Sequence, residues 1–275
     1  MNETPKVCLT IAGLDPSGGA GIVADIKTFR AFGCFPTAAV TSLTFQNTQG
    51  VFGADHQSAA TLGGQVQPIF DDYTVDAVKT GMLPTLEIIA ETGRLITSAK
   101  LKNIVVDPVV RSTSGFDLIS DEALRALIAG LFQIADLVTP NIPEAERIAE
   151  MKIMSEADIH AAAFKIQSLG ARNVLIKGGH YFEKGRNGEG EKGSCEEKTE
   201  ARDFLYFGQD TQVFEAEFIE TTSTHGTGCT LSAAIAANLA LGFDLIDSVR
   251  RAKEFVTQAI RTAPKIGKGN SPINI

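Results

Sequence analysis

Ser223, Thr224, His225, Gly226, Thr227, Gly228, Cys229 and Thr230 stand directly before an Ala-rich apolar run from Leu231 to Leu241. Two glycines permit a sharp turn with positive φ, so successive N–H groups can converge where a helix begins and its dipole is positive. Such a turn suits an anion, phosphate above all. A Cys at that helix N-terminus is expected to have a lowered thiol pKa, which makes Cys229 a candidate acid/base or a hydrogen-bonding partner of the reacting group. The same residues also describe a tight strand-to-helix connection with a small buried Cys. The remaining polar segments have to decide between the two.

The first of these is Gly13-Leu14-Asp15-Pro16-Ser17-Gly18-Gly19-Ala20-Gly21. It is not a P-loop, which ends in Gly-Lys-Ser/Thr, and not a dinucleotide fingerprint, which needs an acid after the second strand where this chain has Thr41-Ser42-Leu43. Asp25, one turn into the following helix, is either a solvated acid or a residue that reaches a substrate lying over the turn. The amide-bearing pair Gln46-Asn47 can offer a donor and an acceptor to a planar heterocycle, or serve turn chemistry. Met82 can pack on a flat ring or belong to the core. Asp107 ends a very apolar strand, Val105-Val106, so its burial calls for a cation or a metal as partner. Asn141 and Glu144 have the spacing of a capping box, and Glu144 could equally hold magnesium through water. Lys177, before Gly178-Gly179-His180, is placed to neutralise phosphate charge.

Positioning these groups falls to alternating short apolar runs and amphipathic stretches. Strands are expected at 7–12, 37–43, 77–80, 103–107, 137–139 and 173–177. Helices are expected at 21–32, 58–73, 86–99, 121–134, 142–151 and 156–169, followed by a hairpin at 204–206 and 212–218 and a closing helix at 247–262. This rhythm predicts an α/β fold, a mostly parallel sheet with helices on both faces and ligands at the carboxyl ends of the strands. The stretch 182–203 is rich in Glu, Lys and Gly and is read as a solvated insertion or a lid. Residues 1–275 are expected to form one domain, with this stretch as a loop insertion in it.

With 44% apolar and 21% charged residues among 275, the composition is that of a soluble globular protein. A net charge of −8 without a basic run excludes broad nucleic-acid binding. Four scattered cysteines argue against a disulfide framework or a zinc site. Neither a signal peptide nor an apolar run of membrane-spanning length is present, so the cytoplasm is the expected location.

Taken in order, Gly13-x-Asp15-Pro16-Ser17-Gly18-Gly19-Ala20-Gly21, Ala24-Asp25-x-Lys27-Thr28, Gln46-Asn47-Thr48-x-Gly50-Val51, Val78-Lys79-Thr80-Gly81-Met82-Leu83, Val106-Asp107-Pro108-Val109, Thr139-Pro140-Asn141-Ile142-Pro143-Glu144-Ala145-Glu146, Lys177-Gly178-Gly179-His180 and Thr224-His225-Gly226-Thr227-Gly228-Cys229-Thr230 resemble the hydroxymethylpyrimidine/phosphomethylpyrimidine kinases of thiamine biosynthesis, within the ribokinase-like superfamily. The resemblance implies a three-layer ribokinase-like fold and a kinase that uses ATP and Mg²⁺. It implies phosphorylation of 4-amino-5-hydroxymethyl-2-methylpyrimidine and then of its monophosphate, by a homodimer. Gly13, Asp25, Gln46, Met82 and Val109 would line the pyrimidine pocket, with Gln46 on the ring's amino and nitrogen edge. Glu144, with Asp107, would hold Mg²⁺. Lys177, Thr227 and Asn141 would lie at the nucleotide, and Gly226, Gly228 and Cys229 would form an anion hole.

The chain departs from the family pattern after Val109. Val110-Arg111-Ser112-Thr113-Ser114-Gly115 lacks the usual Lys, so either Arg111 replaces its charge or the second phosphorylation is weakened. The family's His near the C-terminus is also absent. Two other readings compete: a pyridoxine/pyridoxal kinase built around the same Gly-Thr-Gly-Cys turn, and a non-catalytic pyrimidine-binding protein.

Overall fold

The computed structural model describes residues 4–110, 117–179 and 200–275. β1 (Val7–Leu14) is apolar on both faces: Leu9 and Ile11 enter one core cluster and Cys8 the other. That is the pattern of a strand covered by helices on both sides. β1 pairs in parallel with β2 (Phe35–Asn47) on one side and β4 (Val75–Thr80) on the other. The sheet continues in parallel through β5 (Ile104–Val106), β6 (Leu137–Val138) and β7 (Asn173–Gly179). Antiparallel strands finish both edges, β3 (Gly50–His56) beside β2, and β8 (Glu200–Phe207) with β9 (Asp210–Glu217) beside β7. The order is β3-β2-β1-β4-β5-β6-β7-β8-β9.

One face of the sheet carries α1 (Gly21–Ala31), α7 (Thr227–Ala240) and α8 (Leu245–Arg261). The other carries α2 (Ala59–Asp72), α3 (Leu86–Ser98), α4 (Asp121–Leu131), α5 (Ile142–Ala149) and α6 (Glu156–Ser168). α7 is buried over most of its length, Ala233 to Ala237 being fully so, which explains why its sequence is apolar all round. No helix of the described residues is long and apolar enough to cross a membrane.

The start of six helices is written in local chemistry: Ser58, Thr85, Ser120, Asn141, Ser155 and Asp244 each accept a backbone N–H that the first turn would otherwise leave unpaired. α1 and α7 differ, beginning at Ala20 and Gly226 with no side-chain cap. At α1 the Ala20 N–H goes instead to Asp15 Oδ2, and at α7 the Thr227 N–H goes to Thr224 O.

The expected α/β rhythm and helix-covered sheet are present. Two element expectations need correction. β2 runs on to Asn47, so Gln46 and Asn47 lie inside a strand rather than after one, and β3 was not anticipated. The reason is that Leu43, Phe45 and Phe52 are exposed on an edge hairpin, so no buried apolar run marks it. The charged stretch 182–203 is also shorter than expected as a loop, because Glu200 to Asp203 belong to β8. Residues 182–199, like Arg111 to Gly115, lie outside the described residues.

Candidate active site

The carboxyl ends of β1, β4, β5 and β7, together with the outer half of β2, surround a cavity of about 580 Å³. Its wall includes Gly13, Gln46, Met82, Val109, Asp107, Asn141, Glu144, Lys177, Gly226, Thr227, Gly228 and Cys229. This is the crevice where the strand order reverses direction on either side of β1, the place such sheets leave open for ligands. Only Asp25, among the expected residues, does not line it.

The end of the cavity at α7 is electropositive. Gly226, at φ +87°, turns the chain into α7 so tightly that a Cβ there would lie 1.8 Å from the Gly19 carbonyl oxygen. The 13–21 turn and the 223–230 turn therefore touch backbone to backbone, and only glycine permits it. Gly228 is bare for a related reason, since a Cβ would come within 3.2 Å of Lys177 Nζ. An ammonium thus stands over the uncapped N-terminus of α7, and two positive ends converge on one spot.

Lys177 is itself held by Asp107, whose Oδ1 accepts from Nζ at 2.9 Å and from Thr139 Oγ1 at 3.3 Å. The strand-end Asp107 is thereby explained by a cation. Glu144 closes the group. It forms both halves of the capping box with Asn141, its Oε2 accepting the Asn141 N–H at 2.8 Å while Asn141 Oδ1 accepts the Glu144 N–H at 2.9 Å. Burial pushes the Glu144 carboxyl up to about 7, and Asp107 adds to this, while Lys177 and the Asn141 N–H pull the other way.

That shift has a sign. A carboxyl whose pKa is about 7 folded and near 4.5 unfolded supports the fold fully below pH 4.5, and the contribution is lost as pH rises through 7. Ligand-free protein is therefore expected to lose stability between about pH 4.5 and 7 at this site. Glu144→Gln should flatten that part of the profile, measured by urea unfolding at a series of pH values. An equal slope in both proteins would assign it elsewhere.

Two carboxylates, Glu144 and Asp107, both act on the single ammonium of Lys177 and are short of positive charge. Hard oxygen donors in that number fit Mg²⁺, which keeps most of its waters and takes one or two carboxylates plus phosphate oxygens. Among the described residues there is no larger cluster of metal-binding side chains.

Cys229 corrects an expectation. Its thiol is not lowered by the helix N-terminus: burial pushes it up to about 11, with Lys79 and the Gly21 N–H pulling down and Asp107 and Asp25 adding to the rise. Desolvation of a thiolate outweighs the dipole here. At neutral pH Cys229 carries its proton.

Asp25 is the second correction. It is fully buried beneath the cavity, on the face of the sheet that α1 covers, and accepts from Thr10 Oγ1 at 2.6 Å and from Lys79 Nζ at 2.9 Å on the same oxygen. Thr10 and Lys79 are neighbours in the β1–β4 register, so both side chains point at α1 together. Burial works against the Lys79 charge, but Asp25, with Asp107, more than offsets it and keeps the amine protonated. Lys79 lines the cavity floor and Asp25 supports it from below.

Other groups escaped sequence reasoning. His225, quoted in the glycine motif without a role, is buried and pairs through Nε2 with Asp15 Oδ2 at 2.7 Å. Burial raises the Asp15 carboxyl, but hydrogen bonds from His225 and Ser17 outweigh it and hold the group below its usual value. Asp203 and Lys253 form another buried pair at 2.7 Å, the Asp203 Oδ1 also accepting the Gly178 N–H beside Lys177. The C-terminal segment returns to the site, where Ser271 O accepts the His225 N–H and Asn270 donates to Thr48 O. No local pattern in the sequence announces contacts of this kind.

Comparison with known proteins places this geometry. A sequence profile described as phosphomethylpyrimidine kinase matches residues 15–274. A hydroxymethylpyrimidine/phosphomethylpyrimidine kinase of Aquifex aeolicus is 41% identical over 263 residues, 96% of this chain and 97% of the relative. The thiamine biosynthesis bifunctional protein ThiED of Geobacter sulfurreducens is also 41% identical over 97% of this chain, which spans about half (51%) of that relative's length. Among solved structures, an ADP complex of Bacillus subtilis pyridoxal kinase is similar with a TM-score of 0.85 at 36% identity, covering 98% of this chain and 97% of that one. A phosphomethylpyrimidine kinase of Clostridium difficile 630 has a TM-score of 0.77 at 38% identity, covering 93% and 99%. The uncapped helix start under a lysine, the ordered strand-end motifs and these near full-length matches agree, and the chain belongs to the phosphomethylpyrimidine kinase family.

Proposed function

We propose that the protein transfers the γ-phosphoryl group of ATP to the hydroxymethyl group of 4-amino-5-hydroxymethyl-2-methylpyrimidine and then to the resulting monophosphate, in thiamine biosynthesis. The observation that carries this reading is one cavity with two ends: Lys177 over the uncapped N-terminus of α7, and Gln46 and Met82 with the chemistry for a flat, amide-readable ring.

Phosphoryl transfer asks mainly for positioning and for neutralising charge on the transferred oxygens. Lys177 supplies a fixed ammonium, and the N–H groups at the start of α7 supply oriented dipoles. Glu144 and Asp107 would hold Mg²⁺, which when bound offsets the negative charge of the phosphates. The substrate hydroxyl oxygen forms the new bond to phosphorus as the bond to the ADP oxygen breaks. With its pKa near 11, Cys229 enters as an S–H donor to the transferring oxygens rather than as a thiolate base. In a loose transition state the hydroxyl proton leaves late and passes to an oxygen of the transferred phosphoryl group. Cys229→Ala is therefore expected to lower kcat by about 10²-fold with little change in the KM for the pyrimidine. Unchanged turnover would remove Cys229 from the mechanism.

A second reading, a pyridoxal kinase, is favoured by the high TM-score to the Bacillus subtilis enzyme. The deciding experiment offers hydroxymethylpyrimidine, its monophosphate and pyridoxal in parallel with ATP and Mg²⁺, and identifies products by mass. Preferred turnover of both pyrimidines supports the proposal. Preferred turnover of pyridoxal replaces it, and pyrimidine binding without ATP consumption would indicate a binding protein. The same proposal includes a single kinase domain acting in the cytoplasm as a homodimer, for which Phe45 and Phe52, 57% and 69% exposed on the β2–β3 edge, offer an apolar face.

A further inference from the structure

Gln46 can read a ring only if its amide oxygen and nitrogen occupy known positions, and an amide can turn by 180° about its last torsion without moving another atom. The surrounding protons choose between the two orientations. Asp15 Oδ2 is an acceptor, so the 2.7 Å contact requires a proton on His225 Nε2, whether the ring is neutral or charged. A Gln46 Nε2 placed 3.4 Å from that nitrogen sets two donors face to face. At the other end, Thr44 Oγ1 lies 3.1 Å from Gln46 Oε1 but also 3.0 Å from Leu14 O, which can only accept. One hydroxyl proton cannot serve both acceptors. Turning the amide resolves every conflict. Gln46 Nε2 then donates to Thr44 Oγ1, Thr44 gives its proton to Leu14 O, and Gln46 Oε1, 3.4 Å from an Nε2–H that points chiefly at Asp15, faces its positive edge in place of a second donor.

His225 has little freedom to evade this role. A Cβ on Gly19 would lie 2.4 Å from its Cδ2, its N–H is held by Ser271 O, and Asp15 is tied in turn by Ser17 N, Ser17 Oγ and Ala20 N at 2.7 to 2.9 Å. Asp15, His225 and Thr44 are all buried.

We propose that Asp15, His225 and Thr44 are positioning residues that lock the Gln46 amide with its oxygen toward His225 and its nitrogen toward Thr44, and thereby select a 4-amino pyrimidine over a 4-oxo one. The inference rests on the pyrimidine-kinase reading given above. An amino group with its neighbouring ring nitrogen presents a donor beside an acceptor. A 4-oxo ring presents an acceptor beside an N–H donor, the reverse order, and would need the amide turned against both locks. The 4-amino group therefore lies on the His225 side. A polar site left with mismatched donors rejects the wrong ring far more strongly than shape alone does.

The test compares 4-amino-5-hydroxymethyl-2-methylpyrimidine with its 4-oxo analogue, by kcat/KM and by calorimetric Kd, in wild type, His225→Leu and Thr44→Val. Wild type should favour the amino ring by at least about 100-fold. Each variant should shrink the ratio at least tenfold, partly through better acceptance of the oxo ring. Thr44→Val keeps the side-chain shape, so it remains informative if His225→Leu folds poorly. A merely structural role would weaken both rings together and leave the ratio unchanged, which would overturn the inference. Should neither ring bind wild type, the pyrimidine-kinase reading itself falls, and the inference falls with it.

Discussion

Replacing Lys177 by Met should lower kcat by about 10³-fold, the largest loss expected from any single side chain in the cavity. A fixed cation on a transferring phosphoryl group is typically worth ~10³ or more in rate. Here the ammonium is also the nearest positive charge to Gly228 and the partner of Asp107. The substitution removes the charge and leaves Asp107 and Glu144 without their shared counter-ion. The Glu144 carboxyl, already raised to about 7, should rise further, because Lys177 is the strongest influence holding it down. Lys177→Arg should recover only part of the rate, since a planar guanidinium cannot occupy the point position of an ammonium beside a bare glycine. Single-turnover kinetics with ATP in excess would separate the chemical step from nucleotide affinity. A loss confined to the KM for ATP would mean that Lys177 binds the ground state only.

The second large effect falls on the fold. Lys79 and Asp25 are both fully buried, 2.9 Å apart. Lys79→Met removes one partner and leaves a carboxylate in a dry interior with the Thr10 hydroxyl as its remaining hydrogen-bond donor on that oxygen. Breaking such a pair from one side costs roughly 3–5 kcal/mol. In a chain of this length that corresponds to a fall in melting temperature on the order of 10 °C. Lys79→Met combined with Asp25→Asn should restore much of the stability, because it removes the orphaned charge. Activity should not return with it, since the fixed positive charge of Lys79 at the cavity floor is gone. If the double variant were as unstable as the single one, the unpaired Asp25 would not be the cause.

Both predictions concern residues whose partners lie far away in the chain, and that divides what could be read early from what could not. The glycine turns, the strand-end Asp107, Lys177 and the Asn141–Glu144 spacing were legible because each is a local pattern: a φ only glycine reaches, a carboxylate after an apolar strand, a cap three residues from its acid. Alternation of apolar runs with amphipathic ones likewise announced a helix-covered parallel sheet. The β2–β3 edge went unseen for the complementary reason, as its apolar side chains face outward.

Pairings were decided by the tertiary structure alone. Asp25 meets Lys79 across 54 residues, Lys177 meets Asp107 across 70, and His225 meets Asp15 across 210. Each depends on strand order and register, which follow from burying two core faces at once and leave no trace in local composition. Two expected roles changed on that account. Asp25 moved from the pocket wall to the support beneath it, and Cys229 became a protonated thiol because its burial outweighs the helix dipole. The sequence thus determined which chemical groups reach the strand ends and that a phosphate could be held there. Their protonation, and which way the Gln46 amide faces, were set by neighbours that only the folded sheet brings within hydrogen-bond distance.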